Sequence, residues 1–308
     1  MALGGLLRRL IPLGLVLASC RPHGPHLELI EVYPPVAGPA VVPQVMVTAA
    51  EKAILSWLEP LPDSGYRFRL AAEGAAGWEG PFTIAEGADL ISYSAVLPGV
   101  AEVKPGLLAA YWDVRHRGTS DPFANRIHLA LSRNGGVTWS APAVPHTDGI
   151  PGQHSFVSTF PVPGGLGLAW LDARSQRYLP PPPGGVAEDA KWLGAVGLYA
   201  ATVDSAGQLT PNAALDSVTC ECCPTAAVGT AEGPIVVYRD RSRTTGDSVG
   251  AIIYEAPVVR DIHAVRYRDG RWSEPRRVHA DNWVFNGCPD NGPAADAHGT
   301  RVVVAWWT

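Results

Sequence analysis

From about residue 50 onward, short apolar runs that end in an aromatic residue recur along the chain. They are Ala53-Ile54-Leu55-Ser56-Trp57, Leu107-Leu108-Ala109-Ala110-Tyr111-Trp112, Leu166-Gly167-Leu168-Ala169-Trp170, Ile235-Val236-Val237-Tyr238 and Val302-Val303-Val304-Ala305-Trp306. Such runs are too short and too rich in β-branched side chains for helices, and read as buried strands. From aromatic to aromatic the intervals are 55, 58, 68 and 68 residues. A second pattern follows two of the runs. Residues Arg126 to Pro142 align with Asp261 to Pro275 when two residues are deleted at the turn. In both, alternating apolar positions lead in and Asn134-Gly135 or Asp269-Gly270 supplies the positive φ of a tight hairpin. Trp139-Ser140-Ala141-Pro142 or Trp272-Ser273-Glu274-Pro275 then leads out. Fainter copies lie at Leu198 to Leu209 and Phe68 to Pro81. His128 and His263 fall at matching places in the two hairpins, which predicts packing roles for both.

A repeat of this period, built from strands and one hairpin, predicts an all-β propeller rather than a solenoid, with an aromatic packed between neighbouring blades. Composition agrees. The 33 glycines and 29 prolines are scattered without period and leave little room for long helices. With 46% apolar and 17% charged residues, wholesale disorder is excluded. A net charge of -5 with a pI near 6.0 offers no basic face for nucleic acid, so no nucleic-acid partner is expected.

The first twenty residues read as an address. Arg8 and Arg9 precede the apolar stretch Ile11 to Ala18, and Leu17-Ala18-Ser19-Cys20 follows. This resembles a bacterial lipoprotein signal peptide over residues 1–20, with Cys20 as the lipidation site; an ordinary secretory signal is the alternative. Either way the chain is expected to be exported. Acyl chains on Cys20 would hold a monomer on the bacterial envelope, at the outer membrane or the periplasmic face, without a membrane-spanning helix. Residues 21–48 carry prolines at 22, 25, 34, 35, 39 and 43 and read as a tether with one strand at Leu27 to Val32. The propeller is expected over 49–308.

The segment Ser132-Arg133-Asn134-Gly135-Gly136-Val137-Thr138-Trp139 resembles the Asp box, S-x-D-x-G-x-T-W, of the sialidase-like β-propellers, with Asn134 in the acidic position. A shortened box stands at Arg268 to Trp272, and the strand spacing extends the resemblance over about residues 50 to 308. The resemblance implies a scaffold role for Ser132, Asn134, Gly136, Thr138 and Trp139. It also implies six blades, so with the fifth run stopping at Trp306-Trp307-Thr308 the last blade or blades are expected to be missing from this chain. For function it implies an exo-glycosidase of the exo-α-sialidase type acting on anionic glycans. That machinery is an arginine triad on the sugar carboxylate, a tyrosine nucleophile activated by a glutamate, and an aspartate acid/base. This chain departs from the pattern near the propeller's start, where Ile54 to Pro60 contains no arginine.

Acid and arginine pairs follow three of the aromatic anchors: Trp112-Asp113-Val114-Arg115, Leu171-Asp172-Ala173-Arg174 and Tyr238-Arg239-Asp240-Arg241. Residues two apart on a strand share a face, so these ends could line one mouth of a propeller channel. Arg115, Arg174 and Arg241 are the candidate anion site, and Asp113, Asp172 and His154 the candidate acid/base groups. Salt bridges between blades are the alternative. The four cysteines Cys220, Cys222, Cys223 and Cys288 stand before the fourth and fifth aromatic runs. They are expected to pair as two disulfides, one tying Cys288 to the Cys220 cluster, or else to hold Cu or Zn with help from His279 or His298. No other cofactor is expected. Tyr178 to Gly185, with four consecutive prolines, reads as a stiff insertion rimming the pocket. The rival to an enzyme acting on a glycan or other anionic ligand is a non-catalytic surface propeller for ligand binding or assembly.

Overall fold

The computed structural model describes residues 31–93, 95–186, 189–243, 258–285 and 287–308. Pro34–Thr308 forms one compact unit. The larger unit is an all-β propeller, with no α-helix among the described residues. Its first sheet is an antiparallel meander of β1 (Val41–Val47), β2 (Ala53–Pro60), β3 (Tyr66–Gly74) and β4 (Gly77–Gly87). The second contains β5 (Gly99–Lys104), β6 (Leu107–Arg115) and β7 (Asn125–Ser132), with Ala143 bridging to Leu129 on the outer side. The third runs β8 (His154–Val162), β9 (Gly165–Asp172), β12 (Gly197–Asp204) and β13 (Ala213–Asp216). The hairpin β10 (Arg177–Leu179) and β11 (Lys191–Leu193) is inserted between its second and third strands. The fourth repeats that plan with β14 (Ala226–Val228), β15 (Ile235–Arg239), an inserted β16 (Ser242–Arg243) and β17 (Val258–Val259), then β18 (Ile262–Arg268), β19 (Arg271–Trp272) and β20 (Arg276–Arg277). A two-stranded sheet, β21 (Ala294–His298) and β22 (Arg301–Ala305), follows.

Each aromatic-terminated run is the second strand of its sheet; the first four are covered on both faces and so read as continuous apolar sequence rather than alternation, whereas β22 leaves one face open, with Val303 70% exposed. The apolar side chains form four clusters, each shared by two consecutive sheets. Leu58, Phe68 and Leu70 pack against Leu108 and Trp112. Ile127 and Leu129 pack against Leu168 and Trp170, and Phe160, Leu171 and Leu198 against Val236 and Tyr238. Val237 and Ile262 meet Val302, Val304 and Trp306. Stacking successive sheets face to face in chain order is the packing logic of a propeller.

The hairpin of the second sheet closes as its residues require. Asn134 Oδ1 accepts hydrogen bonds from Thr138 N at 2.9 Å and from Ser132 Oγ at 3.0 Å. Ser132 Oγ in turn accepts from Gly136 N at 2.9 Å, and Trp139 Nε1 donates to Gly136 O at 3.0 Å. Gly136 has φ 93°, and a Cβ there would lie 2.8 Å from the Leu70 side chain of the first sheet. In the fourth sheet Asp269 (φ 52°) and Gly270 (φ 79°) make the two-residue turn joining Arg268 to Arg271. His128 lies directly across from Trp112, and His263 across from Tyr238, each ring meeting its partner edge-on.

One boundary differs from the sequence expectation. β1 lies inside the stretch read as a tether and pairs with β2, so the first sheet starts before residue 49. The prolines that suggested a tether are compatible because β1 is an edge strand and Pro43 sits where its register shifts between Val41 and Gln44. The strand expected at Leu27 to Val32 lies largely outside the described residues, and Glu31 and Val32 are not in a strand.

Candidate functional site

Antiparallel pairing sets the start of each sheet's first strand beside the end of its second: His154 faces Asp172, and Gly99 faces Tyr111. The start of the third strand is at that end too, since Asn125 faces Arg115 and Gly197 faces Asp172. Segments leading into first strands therefore meet the connections from second to third strands. They converge on a cleft of about 360 Å³, lined by Tyr93, Phe123, Gln153, Phe156, Gln176, Trp192, Glu221, Cys222, Cys288 and Asp290. These residues come from lead-in and connecting segments of the second, third, fourth and last sheets.

Trp192 and Phe123 form one aromatic wall, with Tyr178 behind Trp192. Trp192 on β11 contacts Tyr178 on β10, with centroids 5.0 Å apart, and Phe123 at 5.5 Å. Tyr93 adds its hydroxyl, which accepts a hydrogen bond from Gln153 Nε2 at 3.2 Å. Phe156 (φ 62°) and Asp290 (φ 50°) both hold left-handed backbone. Such conformations cost non-glycine residues on the order of 1–3 kcal/mol and cluster at functional sites. At Phe156 the cause is local: β8 shifts register between Ser155 and Ser158.

Two carboxylates reach the cleft. Glu221 Oε2 is 3.7 Å from both Arg241 and Arg260. Asp290 is exposed, and its Oδ1 lies 3.4 Å from Cys288 Sγ. The segment carrying Cys288 and Asp290 is pinned from beneath by two buried arginines. Arg260 donates to Phe285 O at 3.2 Å and Gly287 O at 2.7 Å; Arg239 donates to Asn291 O and Oδ1 at 3.1 and 2.8 Å. Burial, then the nearby Arg260 charge, lowers the Arg239 guanidinium to about 10. The cysteines form Cys220–Cys223 and Cys222–Cys288 disulfides, the second joining the lead-in segments of two successive sheets. All four sulfurs of the expected cluster are thereby bonded in pairs. Cys20 lies outside the described residues.

Behind the cleft wall is a buried polar network. His154 is fully buried, and its Nε2 lies 3.1 Å from Asp148 Oδ2 and 3.6 Å from Asp172 Oδ1. Its Nδ1 faces the backbone oxygens of Gly152 at 3.0 Å and Asn125 at 3.1 Å. His146 stacks on it at 3.7 Å and directs Nδ1 to Asp148 Oδ1 at 3.1 Å. Arg174 grips Asp172 with Nε and NH2 at 2.9 and 2.6 Å and lies over the Tyr199 ring. Trp170 Nε1 also donates to Asp172, at 2.8 Å. Burial alone would raise Asp148, but the two histidines hold it well below the usual carboxylate range. Burial likewise works against a charged His154, yet Asp148 and Asp172 lift its pKa above the ordinary value.

Of the sequence candidates, His154, Asp172 and Arg174 meet in this network, and none of the three lines the cleft. Asp113 is next to it: its carboxyl is buried, Oδ2 has no hydrogen-bond partner, and burial pushes its pKa up to about 7 against the lowering effects of Ser155, His154 and Asn125. Arg115 bonds the carbonyl of Pro122 at 3.2 Å, away from Arg174. Arg241 belongs to the Glu221 pair. The three arginines are thus engaged with three different partners. Sequence reasoning passed over Tyr93, Phe123, Trp192, Glu221, Asp290, His146 and Asp148. A His-x-Asp six residues ahead of a histidine that opens a strand was a readable signal for the last two. The others sit in segments without period.

No family model matches the chain, and no curated protein does. Solved structures do. A protein of unknown function from Dyadobacter fermentans is 16% identical over 87% of this chain and 71% of its own, with a TM-score of 0.53. The GH93 α-L-arabinofuranosidase of Fusarium graminearum, in complex with arabinobiose, is 13% identical over 87% of this chain and 74% of its own, with a TM-score of 0.50. At these identities the likeness is one of fold.

Proposed function

We propose that the cleft binds a glycan and carries glycoside-cleaving chemistry. The observation supporting this is the convergence of aromatic rings from separate segments, Tyr93, Phe123 and Trp192, with the carboxylates Glu221 and Asp290 in one cleft. Aromatic faces stack on the C–H faces of sugars, while Gln153 and Gln176 supply hydrogen bonds to hydroxyls. A paired-carboxylate mechanism needs one group to protonate the leaving oxygen and one to act as base or nucleophile. Asp290, exposed at the rim, is the proposed acid. Glu221, beside Arg241 and Arg260, is the proposed base or nucleophile. The α-L-arabinofuranosidase of Fusarium graminearum shares the fold and adds support. The sialidase-type version, with an anionic sugar, rests on Arg241 alone, because Arg115 and Arg174 are occupied elsewhere and the buried Arg260 holds Phe285 and Gly287.

A second reading, a binding propeller without catalysis, draws on the two arginines that neighbour Glu221 and on the disulfide in the cleft wall. We place either version on the bacterial envelope as a monomer anchored through Cys20, a placement checked by the mass of the mature N-terminal peptide.

The test is a panel of chromogenic arabinofuranosides, mannosides and sialosides, run with glycan-array binding. The enzyme reading expects turnover that falls at least 100-fold in Glu221→Gln and Asp290→Asn while binding persists. Binding without turnover selects the second reading. Trp192→Ala should weaken binding about tenfold, the equivalent of about 1.4 kcal/mol; unchanged binding in that variant refutes the cleft as the site.

A further inference from the structure

We propose that the outer half of the fourth sheet binds an acidic glycan, a polysaccharide bearing carboxylate or sulfate groups, at a site apart from the cleft already described. The repeat supplies its own reference. When the alignment of Arg126 to Pro142 with Asp261 to Pro275 is carried one residue further, Leu131, Thr138 and Ala143 of the second sheet match Arg266, Arg271 and Arg276 of the fourth, and Arg133 matches Arg268. In the second sheet this face is apolar because it packs on the third: Leu129 and Leu131 cluster with Leu168, Trp170 and Val203. In the fourth sheet the same face starts apolar, with Ile262 and Ala264 meeting Val302, Val304 and Trp306 of the last sheet. Further along β18 it turns to arginine, a residue that cannot serve as apolar packing.

Strand register gathers these arginines. Arg266 and Arg268 are two apart on β18 and share a face, Arg271 pairs across from Arg268, and Arg276 pairs across from Ala264. The four line one cleft of about 390 Å³, in which Asp269 is the one acidic lining residue. Glu232, at the edge, lies 3.6 Å from Arg266 and 3.0 Å from Arg268. Arg271 and Arg276 are exposed and make no side-chain hydrogen bond or ion pair with the described residues. Like charges set directly opposite on a sheet, as Arg268 and Arg271 are, destabilise it. A ligand that brings negative charge relieves that repulsion. The net charge of -5 conceals this local excess of cations.

The spacing selects the ligand. Each guanidinium fork matches a carboxylate or sulfate group. The rows of Arg276 and Arg268 are four residues apart along β18, about 13 Å, so the cleft suits oxyanions repeated along a chain better than a single ion. It offers no ring for base stacking, because Trp272 turns to the opposite face and packs on Phe160 at 5.6 Å and Tyr267 at 5.3 Å. The hairpin is also at the far end of β18 from Ile262, which pairs with Arg239 at the end of the sheet that faces the first cleft. The site is therefore a second foothold for a polymer, and it stands whether or not the first cleft turns over substrate.

The experiment uses the full chain with disulfides intact. Heparin as the sulfated glycan and polygalacturonate as the carboxylated one are titrated by calorimetry, with dextran, inorganic sulfate and anionic phospholipid vesicles as the other arms. Expected is binding of at least one acidic glycan, weakening as salt rises, and none of dextran. The Arg271→Ala/Arg276→Ala double variant should bind about tenfold more weakly with an unchanged melting temperature, since both side chains are exposed. Arg133→Ala, at the matching place in the second sheet, should bind like wild type. Should the double variant melt lower, Arg271→Ala alone decides, with a loss of about threefold expected. Failure to bind either acidic glycan overturns the proposal, as does binding undiminished in the arginine variants. Uptake of inorganic sulfate without either polymer, or tighter binding of vesicles than of both glycans, overturns it too.

Discussion

Replacing Asp113 by asparagine should change how stability depends on pH. The Asp113 side chain is almost entirely buried, and Oδ2 has no partner. Burial pushes its carboxyl from 3.8 up to about 7. Between those values the folded protein binds a proton that the unfolded chain has already released, so stability must fall as pH rises from about 4 to about 7 and level off above. A gap of that size corresponds to about 4 kcal/mol across the window. Asp240 is also pushed up to about 7, by burial and then the neighbouring Asp216 charge, and contributes a decline of the same sign. Asparagine has the same shape and never ionises. The Asp113→Asn protein should therefore lose about half of the combined decline, and gain most over wild type at pH 8 and least at pH 4.5. Urea titrations of both proteins at half-unit steps between these limits measure it, since ΔG follows from the midpoint and slope. Parallel curves for wild type and variant would refute the reasoning: Asp113 would then be solvated or paired in the folded state.

The Cys222–Cys288 disulfide spans 66 residues of sequence; loop-closure entropy assigns it about 4 kcal/mol, so Cys288→Ser should lower the urea midpoint sharply without reductant, and an unmoved midpoint would argue against the bond. Asn134→Ala removes the acceptor for Thr138 N and Ser132 Oγ and should cost about 1–2 kcal/mol, with altered Trp139 fluorescence; no loss of stability would mean the hairpin holds without its side-chain bonds.

Much of the scaffold was legible because its determinants are local or periodic. In the first four sheets the second strands are covered on both faces, so they appear as uninterrupted apolar runs, and Trp57, Trp170 and Tyr238 are at most 1% exposed. Even the uneven spacing has a structural cause: the two intervals of 68 residues contain the inserted hairpins β10–β11 and β16–β17, which the shorter intervals lack. Edge strand β1 was hidden by Pro43 and the prolines before it, since an edge tolerates a missing donor that an inner strand does not. The acid–arginine pairs fall at strand ends, but sequence could not tell that Arg174 would close on its own Asp172. The cleft was the least readable part. Its walls are irregular segments whose side chains meet only after four sheets have stacked, and nothing in the spacing of Tyr93, Trp192 and Asp290 announces that meeting.

Trp192 stands on an addition, not on the wheel itself. The β10–β11 hairpin leaves the third sheet after β9 and returns before β12, while β9 and β12 pair without interruption from Asp172 and Gly197 inward. Its length and composition can therefore be rewritten without disturbing a single sheet-to-sheet contact beneath. A change of ligand preference in this protein is open to exchange of one short graft, with the foundation left as it is.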